Sequence, residues 1–77
     1  MTQAKPAVEM RGVTSSNIHS IGYDPAAQEL HVKYKGSGDT YVYSGVTPEK
    51  HQAALAADSV GKFINIQVKS AHSFRKL

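Results

Sequence analysis

The chain has 77 residues, no cysteine, no tryptophan and a formal net charge of +3. A domain this short buries only about 60% of its unfolded surface, so its core contributes roughly 3–5 kcal/mol of net stability and a partner surface is the remaining supplement. The lack of cysteine excludes disulfide staples and thiolate metal sites, and no apolar run approaches the roughly 20 residues that span a bilayer.

The opening stretch MTQAKPAVEM has no continuous apolar segment, so it does not read as a secretory signal. A cytoplasmic protein is expected, with homo-oligomerisation as the natural supplement to a small core. Residues 1–13 mix small, polar and charged types around Pro6 and read as a flexible leader. Residues 14–77 read as a single domain with a frayed basic C-terminus. Charge is placed unevenly. From Ser59 onward stand Lys62, Lys69, Arg75 and Lys76 with no acid, whereas the chain before Ser59 carries five basic residues against six acidic ones. A basic end can attract phosphate or an acidic partner, or simply be solvated.

In chain order, a first apolar run over about Asn17 to Tyr23 ends at Asp24-Pro25, where proline starts a turn. A second, Glu29 to Lys35, alternates Leu30, Val32 and Tyr34 with His31, Lys33 and Lys35. Gly36-Ser37-Gly38-Asp39 supplies the positive φ of a tight hairpin, and a third run follows over Thr40 to Ser44. The period then changes. Thr47-Pro48-Glu49 joins a hydroxyl N-cap, proline at the first helical position and an acid near the positive dipole end. The alanine-rich segment after it is helix-prone, with Ala54 and Leu55 on its buried side, and Asp58-Ser59 caps a second helix. The stretch VGKFINIQVKSAH fits two periods. Ile64, Ile66 and Val68 alternate as in a strand, while Val60, Ile64, Val68 and Ala71 fall at helical spacing.

Three motifs resemble the KTSC domain, a short module found alone in bacterial and phage proteins and at the C-terminus of some lysyl-tRNA synthetases. They are SSNIHSIGYDPAAQELHVKY, the pair Tyr41 and Tyr43 around Val42, and ADSVGKFINIQVK with its Ser59, Gly61, Asn65 and Lys69. The likeness covers about Ser15 to His72. Thr47, His51 and His72 depart from the residues common at those places. The resemblance implies a small sheet followed by helices, favours the helical reading of residues 60–70, and carries RNA binding as the family's suggested activity. The expected fold is α+β, a three-stranded antiparallel meander followed by two helices packed on one face.

Period-2 geometry puts Tyr41 and Tyr43 on one face and Val42 on the other. If Val42 joins Leu30, Val32 and Tyr34 inside, the tyrosines lie outside beside His31, Lys33 and Lys35, an aromatic-basic platform of the kind that stacks unpaired bases. If the tyrosines are inside they are core with a wet hydroxyl edge, and two rings of about 150–250 Å² each outweigh one valine. The candidate nucleic-acid-binding residues are Tyr41, Tyr43, His31, Lys33 and Lys35 on the strands, with Lys62, Lys69, Arg75 and Lys76 from the basic end. The expected partner is RNA or other single-stranded nucleic acid. The alternative is a bacterial or phage accessory protein that binds another protein.

No catalytic set, cofactor or metal site is expected. His19, His31, His51 and His72 have no partner at i+3 or i+4, and a metal site needs three or four converging ligands. Ser59 is explained by capping, and Gly36-Ser37-Gly38 opens a strand rather than the helix of a phosphate loop. Asn65 reads as a buried hydrogen-bonding bracket. On a helix, Ile66 lies about 200° from Ile64, outward, where it can seat a second copy in a two-fold homodimer.

Overall fold

The structure, a computed structural model, describes residue 8 and residues 10–77. Among these residues five antiparallel strands lie side by side in chain order. They are β1 (Arg11–Gly12), β2 (Ile18–Asp24), β3 (Glu29–Tyr34), β4 (Thr40–Tyr43) and β5 (Phe74–Lys76). Between β4 and β5 run α1 (Pro48–Ala56) and α2 (Val60–Phe63), the latter continuing directly into a π-helical segment, Ile64–Val68. The fold is α+β, but the sheet has five strands where a three-stranded meander was expected. β2, β3 and β4 form that meander. The added edges are two and three residues long and wholly exposed, so they carry no alternation of polarity. Pairing with an existing strand, not pattern, makes them strands. Positions 1–7 and 9 of the expected leader lie outside the described residues, while Arg11 and Gly12 pair with Ile21 and Ser20. The basic C-terminal residues Phe74–Lys76 pair with Tyr41–Tyr43.

Local chemistry accounts for each junction. In β2 the register shifts between Ile18, opposite Tyr34, and Ser20, opposite Lys33. This bulge lets Ile18 and Ile21, three apart in sequence, both reach the core, each 1% exposed. At the β2–β3 turn the Asp24 carboxylate accepts hydrogen bonds from the backbone of Ala26 and Ala27. At the β3–β4 turn Gly38 has φ +73°, and Tyr34 donates its N–H to Asp39 O at 2.9 Å. The Thr47 hydroxyl accepts from Lys50 N at 3.2 Å to cap α1, and the Ser59 hydroxyl does the same from Lys62 N for α2.

Residues 60–68 are helical, not a strand: Val60, Ile64 and Val68 are buried at a spacing of four while Ile66 is 57% exposed. The final turn widens, with Lys69 N donating to Ile64 O, five residues back, at 2.7 Å. Asn65 is exposed, which corrects the buried bracket expected there; the inward stripe of Val60, Ile64 and Val68 turns it toward solvent. The core is one layer between sheet and helices, joining Ile18, Ile21, Leu30, Val32 and Tyr43 to Val46, Ala54, Val60, Ile64 and Val68. Gly61 is buried, and a Cβ there would lie 2.9 Å from the Ser15 hydroxyl oxygen.

Candidate functional site

The register of β3 and β4 decides which way the tyrosines face. Leu30 stands opposite Tyr43 and Val32 opposite Tyr41, whereas His31 stands opposite Val42 and Lys33 opposite Thr40. Directly opposed residues share a face. Tyr41 and Tyr43 therefore lie on the helix-bearing face with Leu30, Val32 and Tyr34, and Val42 lies on the other with His31 and Lys33. The platform of tyrosines beside His31, Lys33 and Lys35 does not form. The apolar area of the rings prevails, and Tyr43 is 1% exposed.

The helices do not cover the whole of that face. Toward the β3–β4 hairpin a cleft of about 530 Å³ opens, walled by Tyr34, Tyr41, Tyr43 and Phe74. Ser16 and Asn17, from the segment leading into β2, and Lys69, at the end of the π-helical segment, also line it. The rings hold one another. Tyr34 and Tyr41 meet edge to face with centroids 5.5 Å apart, Tyr41 and Phe74 are tilted at 5.5 Å, and Tyr43 and Phe74 at 5.8 Å. The Tyr34 and Tyr43 hydroxyls are hydrogen-bonded at 2.8 Å. Burial first, then that hydrogen bond, pushes the Tyr43 phenol pKa well above its ordinary value. Phe74 is 52% exposed and Tyr41 half-buried, so the cleft presents accessible ring surface with an ammonium group beside it.

The nine candidate residues thus separate. Tyr41, Tyr43 and Lys69 meet at the cleft. Lys76, opposite Tyr41 in the β4–β5 register, shares their face and places its Nζ 3.5 Å from the Asp39 carboxylate. Arg75 stands opposite Val42 on the other face and holds Glu29 with both guanidinium nitrogens, at 3.0 and 3.4 Å. His31 and Lys33 belong to that other face, and Lys35 is exposed just beyond β3. Lys62 borders a separate groove of about 410 Å³ with Phe63 and Ile66. Sequence reasoning missed Phe74, Asn17 and Ser16 as cleft residues, and read Tyr34 only as core and Gly36 and Ser37 only as turn. Phe74 is an aromatic isolated between serine and arginine, a signal of composition without periodicity.

His51 and His72 serve packing. His51 stacks on Tyr23 with centroids 4.7 Å apart and rings 12° from parallel. The Tyr23 hydroxyl donates to Val46 O. His72 contacts the Ser44 carbonyl through Nδ1 at 2.8 Å and the Lys50 ammonium through Nε2 at 3.0 Å. Since a carbonyl only accepts and an ammonium only donates, Nδ1 carries the proton and Nε2 accepts. No group of three or more His, Asp or Glu placed to hold a metal occurs among the described residues. No helix among them is long and apolar enough to cross a membrane.

An antiparallel sheet with helices on one face and an aromatic cleft beside them defines a small α+β module. The chain belongs to the KTSC domain family, whose sequence model matches residues 14–72. A protein of Tsukamurella paurometabola is 48% identical over 60 residues, spanning 78% of this chain and 88% of the relative. An uncharacterized protein of Stutzerimonas stutzeri is 47% identical over 58 residues, 75% of this chain and 80% of its own. The crystal structure of a KTSC domain protein from Yersinia pestis superimposes with a TM-score of 0.86 at 38% identity, covering 92% of this chain and 99% of that one.

Proposed function

We propose that this protein is a cytoplasmic, non-catalytic module that binds single-stranded nucleic acid through the cleft of Tyr34, Tyr41 and Phe74. The observation that carries the reading is the conjunction of accessible aromatic surface with Lys69 in one cleft. Unpaired bases stack on such rings at about 1–3 kcal/mol each, and cations beside them take up the backbone. Lys69 makes no ion pair among the described residues, and Lys76 lies on the same face. Each phosphate neutralised releases counterions, so affinity falls steeply with salt. Fluorescence anisotropy with labelled single-stranded RNA and DNA is expected to show binding at low salt that weakens as salt rises. An absence of binding at low salt overturns the reading.

A second reading, a protein-interaction module that includes self-association, is favoured by Ile66. It is 57% exposed and borders the groove with Phe63. A pull-down from lysate with and without nuclease separates the two readings: a partner retained after nuclease supports protein contact, and one lost supports nucleic acid.

A further inference from the structure

We infer that the cleft is a one-nucleotide site that prefers a purine, with the base on Phe74 and Tyr41 and the phosphate at Lys69; the inference rests on the nucleic-acid reading above and gives it a unit of recognition. Three features of a nucleotide are matched in one place. The ring surface comes from Phe74, the most exposed of the four aromatics, and from half-buried Tyr41, whose centroid lies 5.5 Å away at a tilt of 50°. The polar edge of a base faces Asn17, whose side-chain amide offers both a donor and an acceptor and makes no hydrogen bond among the described residues. The anion is met by Lys69, a flexible point charge suited to phosphate.

The two rings are tilted by 50°, so one base cannot lie flat on both and Phe74, the more exposed, is the stacking platform. A fused two-ring base offers that platform more stacking surface than a single ring does, which gives the base preference. The cleft of about 530 Å³ is of the size that small ligands occupy. Asn17 alone does not single out adenine or guanine, because an amide pairs with either, so the preference is for the purine class.

The same unit can come as a free nucleotide or as part of a strand, and the test separates these sources. The full chain is titrated at low salt with adenosine, guanosine, cytidine and uridine monophosphates, following the Phe74 and Tyr41 ring resonances by NMR. Homopurine and homopyrimidine RNA oligonucleotides are titrated in parallel. Purines are expected to bind about tenfold more tightly than pyrimidines, and Phe74→Leu, which keeps the apolar contact but lacks a π face, to remove that margin. Lys69→Ala is expected to weaken the monophosphates while leaving adenosine itself unchanged. Equal binding of purines and pyrimidines, with oligonucleotides still bound, overturns this inference and leaves the proposed function standing. Purine monophosphates bound without oligonucleotides support the site and overturn the strand reading. No binding by either overturns both.

Discussion

The hydroxyls of Tyr34 and Tyr43 meet at 2.8 Å across β3 and β4, joining a half-buried ring to one that is 1% exposed. The pair closes the floor of the cleft, so its strength and its ionisation can both be read in the stability of the whole domain.

Tyr43→Phe removes one member of this pair while keeping the ring. The expected cost is about 1 kcal/mol by urea denaturation, the typical worth of a neutral hydrogen bond, because the Tyr34 hydroxyl can turn toward the wet cleft rather than stay unpaired. Tyr43→Ala is expected to cost about 3–5 kcal/mol, as for any large ring removed from a core. Ionisation gives a second signature. The folded state holds the Tyr43 pKa above the ordinary value of about 10. Its contribution to stability is therefore full below about pH 10 and is lost as pH rises toward the folded-state value. Tyr43→Phe is expected to shallow that alkaline loss; an unchanged slope would place the effect on another tyrosine.

His51 acts in the opposite pH direction. Burial, and then the positive charge of Arg11, lowers its pKa below the ordinary value of about 6.5. The unfolded chain binds that proton more readily than the folded one. The domain is therefore expected to lose stability as pH falls from about 6.5, and to be insensitive to this residue above it. His51→Phe keeps a ring stacked on Tyr23 and removes the titration. Denaturation curves at about pH 7 and pH 5 should differ less for the variant than for the wild type, and an equal difference would clear His51 of the effect.

Sequence and structure part where a feature depends on residues distant along the chain. The alternation of Leu30, Val32 and Tyr34 and the caps Thr47 and Ser59 were legible, because each depends on a few adjacent residues whose chemistry is local. The helical spacing of Val60, Ile64 and Val68 was legible only beside a competing strand pattern, since Ile64 and Val68 satisfy both periods and Ile66 between them fits the strand. Packing decides it by burying Ile64 and exposing Ile66. The cleft was not legible. Tyr41 and Lys69 were named separately, but Phe74 joins them through the pairing of β5 with β4, across 30 residues of helix and loop between Tyr43 and Phe74. The bulge in β2 was equally hidden, because Ile18 and Ile21 stand at a spacing that no regular strand puts on one face.

Ile66→Lys tests the outward surface of the second helical segment. Ile66 packs against no core residue strongly enough to be covered, remaining 57% exposed, so the substitution is expected to change stability by no more than about 0.5 kcal/mol. Sedimentation velocity at increasing concentration then reads self-association. A wild type that gains mass while Ile66→Lys stays monomeric supports a two-fold contact through Ile66 and Phe63. Two folded monomers remove self-association from the proposal.

Gly61→Ala sets two known effects against each other. Alanine is favoured over glycine inside a helix by about 1 kcal/mol. Here, however, the added Cβ would approach the Ser15 hydroxyl to 2.9 Å. That hydroxyl is not free to swing away without loss, since it accepts hydrogen bonds from the backbone N–H groups of Asn17 and Ile18, each at 3.2 Å. Overpacking of this kind costs about 1–3 kcal/mol, so a net loss of about 1 kcal/mol is expected. In a Ser15→Ala background the hydroxyl is gone and the clash with it. There Gly61→Ala is expected to be neutral or stabilising, and the double-mutant cycle should return a coupling of about 1–2 kcal/mol. A coupling near zero would mean that the helix, not Ser15, moves to admit the methyl group, and that the glycine is needed for some other feature of the turn into α2.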